Sequence, residues 1–104
     1  MTTDGRIVHV VLVDWRDGMP AAELERLHTQ IGLFRAEIPG IAEVTVGPSV
    51  SPEGLEAGYG WGLVVAFVDA AARDVYLDHP VHAVAAEVIG SWSARLVVVD
   101  LAAG

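Results

Sequence analysis

The chain has 104 residues, 53% of them hydrophobic, with a mean hydropathy of +0.47 and fourteen Asp and Glu against six Arg and no Lys, a formal charge of −8. At about 100–200 residues per domain this is one domain, residues 1–104, and so acidic a surface is a poor partner for nucleic acid or an anionic membrane. No apolar run approaches the ~18–20 residues of a spanning helix, no cysteine offers a disulfide or a thiolate, and Met1 to Arg6 lacks the basic and apolar regions of a leader, so a cytoplasmic protein is expected.

Ile7 to Val13 is a β-rich run, and Asp17-Gly18 after it marks a turn. Pro20 suits a first helical turn, and Glu23 and Glu25 suit the positive end of a helix dipole. Leu24, Leu27, Ile31, Phe34 and Ile38 recur at three- and four-residue steps, which predicts one amphipathic helix stopped by Pro39-Gly40. Val44 and Val46 alternate with Glu43 and Thr45, the pattern of an edge strand with one wet face. Gly47 to Gly58, rich in Pro, Ser and Gly, reads as a long loop. Tyr59 to Val68 is the next strand, and Asp69 is a good N-cap for a helix running to about Leu77. His79-Pro80 breaks that helix and starts another, because a residue before Pro avoids the α region while Pro is welcome at the first helical position. Arg95 to Leu101 is the last strand.

The order βαββαβ predicts an α+β fold, a ferredoxin-like four-stranded antiparallel sheet with helices on one face. The first, third and fourth strands are apolar on both faces, whereas a sheet with one wet face alternates. Ile7, His9, Val11 and Val13 share one side of the first strand, as do Tyr59, Trp61, Leu63, Val65 and Phe67 on the third. This side is expected to be the open face, too apolar for a monomer. A homodimer closing sheet against sheet into a dimeric α/β barrel is therefore expected, with His9 and Trp61 facing the barrel interior.

Ile7-Val8-His9-Val10-Val11-Leu12, the loop Gly47 to Leu55 running into Gly58-Tyr59, the Tyr-x-x-His-Pro-x-His segment Tyr76 to His82, and the closing Leu96-Val97-Val98-Val99-Asp100 resemble the stress-responsive dimeric A/B barrel family over residues 6–101. The resemblance implies the dimeric barrel. It also implies, by likeness to a plant polyketide cyclase of the family, a cofactor-independent ring closure of a β-carbonyl substrate, a lyase-type aldol chemistry. His82 stands at the position of that enzyme's catalytic histidine, Tyr76 at that of its partner tyrosine, and His9 at that of a histidine near its pocket. The chemistry suits these side chains, since an imidazole removes a proton between two carbonyls while a phenol stabilises the oxygen that becomes negative. The alternative for Tyr76 and His82 is that they cap helix ends, and for His9 that it is a core histidine satisfied by one partner.

His28, Ile31, Trp61, Leu63 and Trp92 complete the expected lining for a hydrophobic or aromatic small molecule. Trp61 is the flat wall, although each tryptophan also suits the core or the interface. His28 either borders the apolar stripe of the first helix or points to the sheet edge, and Gly32 leaves space beside it. The cyclase has bulkier residues at His28, Ile31 and Gly32 and histidine at Trp61, which implies a different substrate. His79, at the helix junction, is expected to bond backbone groups. No metal is expected, since His79 and His82 lack further ligands at suitable spacing. Two other functions fit the same fold: a non-catalytic, stress-associated ligand-binding dimer, and, by architecture alone, a cofactor-free monooxygenase.

Overall fold

The computed structural model describes residues 5–103; Met1–Asp4, part of the stretch read above as lacking a leader, and Gly104 lie outside the described residues. Its elements are β1 (Arg6–Trp15), α1 (Ala21–Ile31), α2 (Phe34–Glu37), β2 (Ile41–Pro48), β3 (Trp61–Phe67), α3 (Ala70–Asp78), α4 (Pro80–Trp92) and β4 (Ser93–Ala103). The sheet order is β2-β3-β1-β4 with every pairing antiparallel, the ferredoxin-like fold expected. β2 is an edge strand, as its alternation implies, and β4 is the other edge.

The predicted first helix is two. At Gly32-Leu33 the ladder tightens, with the Leu33 N–H donating to the Gln30 carbonyl, three residues back. The backbone stays in the right-handed helical region through both residues. The apolar stripe therefore keeps its phase, and Leu27, Ile31, Phe34 and Ile38 are all buried despite the break. β3 is shorter than expected because Tyr59 belongs to a turn in which its N–H donates to the Glu56 carbonyl and Gly58 adopts φ +92°. Arg95 pins this turn, its guanidinium lying 4.6 Å over the Tyr59 ring while bonding Asp14 and the Ala57 carbonyl.

Asp69 caps α3, its Oδ1 accepting from the Ala72 N–H at 2.8 Å. Asp69→Ala is expected to lower the unfolding free energy by about 1 kcal/mol, the usual value of such a cap, with an unchanged slope in a urea titration. His79 ends α3 and caps α4, its Nδ1 accepting from the Val81 N–H at 3.1 Å, and Pro80 follows at the first helical position. The junction histidine thus bonds backbone, as expected.

One expectation is reversed. His9, Val11 and Val13 on β1 and Trp61, Leu63, Val65 and Phe67 on β3 lie under the helices, each at most 4% exposed. The bare face carries the alternate set: Val8, Val10 and Leu12, with Val64 and Ala66 opposite them on β3 and Leu101, Val99 and Val97 opposite them on β4. Alternation could not choose between two apolar faces, but residue size does. The helix-facing side of β3 carries Trp, Leu and Phe, which fill the space beneath helices, whereas Gly62, Val64 and Ala66 leave a low, flat surface on the other.

Candidate active site

α3 and α4 cross the covered face beside β1 and β4, and an apolar cavity of about 230 Å³ lies between them and the sheet. Three polar side chains line it, His9, Tyr76 and His82, among apolar neighbours that include Val11, Leu63, Ala85, Ile89, Leu96 and Val98. The cavity is thus on the helix side of the sheet and not in a barrel formed by two bare faces.

The broken helix brings the polar groups together. Tyr76 sits in the last turn of α3, and the restart at Pro80 folds His82 back over it, with ring centroids 4.2 Å apart. His82 Nδ1 lies 3.3 Å from the Leu77 carbonyl oxygen. A carbonyl only accepts, so Nδ1 carries the proton and Nε2 keeps its lone pair. Burial pushes the His82 imidazole below its ordinary value of 6.5, with the charges of His9 and His79 adding to the effect and the Leu77 bond opposing it. The ring is therefore a neutral base at pH 7. The Tyr76 ring is 1% exposed, and burial, followed by the charge of Asp100, pushes its hydroxyl well above its ordinary value, so it stays a proton donor. That hydroxyl makes no hydrogen bond among the described residues. It is also not sealed, since Trp15 Nε1 is the one fully buried side-chain polar atom there without a partner. The open space beside the Tyr76 hydroxyl is the cavity.

His9 stands edge-on to Tyr76, centroids 5.4 Å apart. Its Nδ1 is 2.6 Å from Asp100 Oδ1, directly across the β1–β4 ladder, and Arg73 Nη1 donates to Asp100 Oδ2 at 2.8 Å. Burial acts to raise the Asp100 carboxyl, but hydrogen bonds from His9 and Arg73 outweigh it and hold it below its ordinary value. The ionised carboxylate accepts from His9 Nδ1–H and leaves His9 Nε2 on the far side of the ring. Arg73 and Asp100 were assigned no role from the sequence. The available signal was an acid at the end of the apolar run Val97-Val98-Val99-Asp100, in register with a buried histidine.

The other expected lining residues lie elsewhere. Ile31 is core, 2% exposed. Trp61 packs on Trp15 with centroids 5.1 Å apart and donates from Nε1 to His28 Nε2 at 3.0 Å, so His28 and Trp61 pin α1 to β3. Trp92 packs against the core at the end of α4. Of the expected set, His9, Leu63, Tyr76 and His82 meet at the cavity, and His28, Ile31, Trp61 and Trp92 are not among its lining residues. Among the described residues no three His, Asp or Glu side chains gather in a metal-sized group.

The lowered His82 value has a sign that can be tested. In the interval below pH 6.5 the unfolded chain binds a proton at this ring that the folded chain does not, so stability rises with pH there and falls as acid charges the buried imidazole. In His82→Gln that contribution is absent, and the urea midpoint is expected to depend less steeply on pH between about pH 5 and 7 than in the wild type.

A four-stranded antiparallel sheet with one helix-covered face and one bare apolar face is the ferredoxin-like α+β fold. Within it, the chain belongs to the stress responsive A/B barrel domain family, whose sequence model matches residues 7–103. No curated protein matches the chain. Among solved structures it is similar to a dimeric ferredoxin-like protein of unknown function from Jannaschia, at 26% identity and a TM-score of 0.79, covering 93% of this chain and 98% of that one. It is also similar to a dimeric ferredoxin-like protein of unknown function from Thermobifida fusca, at 24% identity and a TM-score of 0.82, covering 98% and 94%. A hydroxynitrile lyase from Passiflora edulis shares the fold at 14% identity, with a TM-score of 0.85 and coverage of 97% and 95%.

Proposed function

We propose that this protein is a cofactor-independent enzyme that forms or cleaves a carbon–carbon bond next to a carbonyl, most simply by cyclase-type aldol closure of a neutral polyketide-like β-carbonyl substrate. The observation that carries the reading is the Tyr76–His82 pair, 4.2 Å apart between ring centroids, in a cavity otherwise lined by apolar side chains and by His9. His82 Nε2 takes a proton from the carbon between two carbonyls, and the Tyr76 hydroxyl hydrogen-bonds the enolate oxygen that results. The enolate carbon then attacks a second carbonyl of the same molecule, forming one carbon–carbon bond. The alkoxide takes back a proton, ultimately the one held on His82, so no oxidant or reductant is needed. His9, fixed by Asp100, is the second polar group positioned to bind an oxygen of the substrate.

The protein acts as a homodimer joined through the bare faces of its sheets. Val8, Val10, Leu12, Val64, Val97, Val99 and Leu101 form one uncovered apolar surface, and the similar Jannaschia and Thermobifida fusca proteins are described as dimeric. The test of the catalytic reading is incubation with the N-acetylcysteamine thioester of a 3,5,7-trioxo acid, in which C2 can attack C7 to close a six-membered carbocycle, following carbocycle formation apart from pyrone by mass spectrometry and proton NMR. Ring closure faster than in buffer, and lost in His82→Gln, is expected. Closure at the buffer rate for wild type and variant alike overturns the cyclase reading and leaves a ligand-binding dimer.

A further inference from the structure

α4 runs beside β1 in the same direction: His82, near its start, meets Tyr76 beside His9, and at its end the Trp92 carbonyl accepts from the Arg16 N–H at 2.8 Å. The cavity follows this course. Its polar groups, His9, Tyr76 and His82, lie at one end, and Gly90 and Leu96 lie toward the other, level with Val13 in the sheet register. His82 and Gly90 are eight residues apart on one helix, about 12 Å at 1.5 Å per residue. No Asp, Glu or Arg lines this slot, so a charged group inside it would be buried without a partner.

Gly90 has no packing reason to be glycine. Gly40 shows what such a reason looks like: its φ is +85°, and a Cβ added there would stand 2.5 Å from the Ala72 Cβ. At Gly90 φ is not positive and an added Cβ meets nothing within 4 Å, although glycine is the least favourable helix residue after proline. Gly90 is exposed and lines the outer end of the slot, as do the half-exposed Leu96 and Val98 of β4.

We propose that Gly90 sets the length of ligand that the slot accepts: a neutral, elongated, apolar carbonyl compound whose carbonyl meets Tyr76 and His82 and whose far end leaves between α4 and β4 across the bare backbone of Gly90. This deepens the reading of the cavity as an active site and rests on it. The probes are acetophenone, 4′-ethylacetophenone and 4′-butylacetophenone, titrated into the full chain and followed by calorimetry and protein NMR. In the wild type, affinity rises about fourfold for each methylene that enters the slot. Gly90→Phe keeps the affinity for acetophenone within about twofold and loses tenfold or more for the butyl compound, with Gly90→Ala in between. Gly90→Leu repeats the comparison with a smaller side chain, and circular dichroism confirms that each variant is folded. An unchanged butyl affinity in folded Gly90→Phe or Gly90→Leu overturns the role of Gly90, and absence of binding by all three probes to the wild type overturns the ligand class. Binding is read without turnover, so length dependence that survives while no cyclisation is found removes the catalytic reading alone.

Discussion

Replacing His82 by Gln is expected to lower turnover by about 10²–10⁴-fold, the usual contribution of a positioned general base, while the chain stays folded and still binds its ligand. Gln fills similar space and its amide can donate to the Leu77 carbonyl as Nδ1–H does, but it has no basic nitrogen to replace Nε2. Tyr76→Phe separates the two roles further. The ring is held by Phe34, Phe67, His9 and His82 and its hydroxyl has no partner among the described residues, so removing the oxygen costs the fold little. Its loss is expected to reduce turnover by about 10²–10³-fold, as when one oxyanion donor is removed. Rate profiles of the wild type add a check of sign. The basic form of His82 is lost as pH falls through its lowered value, so the acid limb of kcat/KM lies below 6.5. A Tyr76→Phe variant with full turnover contradicts the donor role.

A charge at the centre of the bare sheet face is the second large effect. Val10 stands between Val64 and Val99, its register partners on the two neighbouring strands. In a two-fold dimer Val10→Asp buries two carboxylates near the middle of the interface, each costing several kcal/mol without a partner. The dissociation constant is therefore expected to rise by at least about a thousandfold, since every 1.4 kcal/mol is tenfold. Sedimentation equilibrium will show the wild type at twice the 11.0 kDa chain mass and the variant at the chain mass. A wild-type monomer at micromolar concentration contradicts the dimer.

The sequence made the element order, the Asp69 cap and the His79-Pro80 restart legible because each rests on local backbone chemistry: a carboxylate beside free N–H groups, and a ring that cannot continue a helix. The three- and four-residue spacing of the core survived the break at Gly32-Leu33 for the same reason, since a tightened turn hardly alters the helical phase. Which sheet face the helices cover was not legible. Both faces are apolar on three strands, and the deciding feature, large side chains against small ones on β3, is one of residue size, which alternation of polarity does not read. The site was partly legible. Tyr76 and His82 share one short segment, and the resemblance pointed to them. Asp100 and Arg73 reach His9 through the β1–β4 register and the placement of α3, neither of which follows from spacing along the chain. Trp61 is expected to line the site as a flat wall on the strand face assigned to the barrel interior, and His28 because it borders the apolar stripe of the first helix, yet they bond each other, a pairing that depends on where α1 crosses β3.

Deuterium exchange reads the proposed removal by His82 of a proton beside a carbonyl that Tyr76 holds, without the later chemistry. The N-acetylcysteamine thioester of 3-oxo-5-phenylpentanoic acid in D2O, at a pD low enough for slow background exchange, is followed by proton NMR at its C2 methylene. The wild type is expected to accelerate loss of that signal, with the acceleration abolished in His82→Gln and reduced in Tyr76→Phe. Exchange at the background rate with the thioester bound to the wild type, or equal acceleration by His82→Gln, contradicts the account.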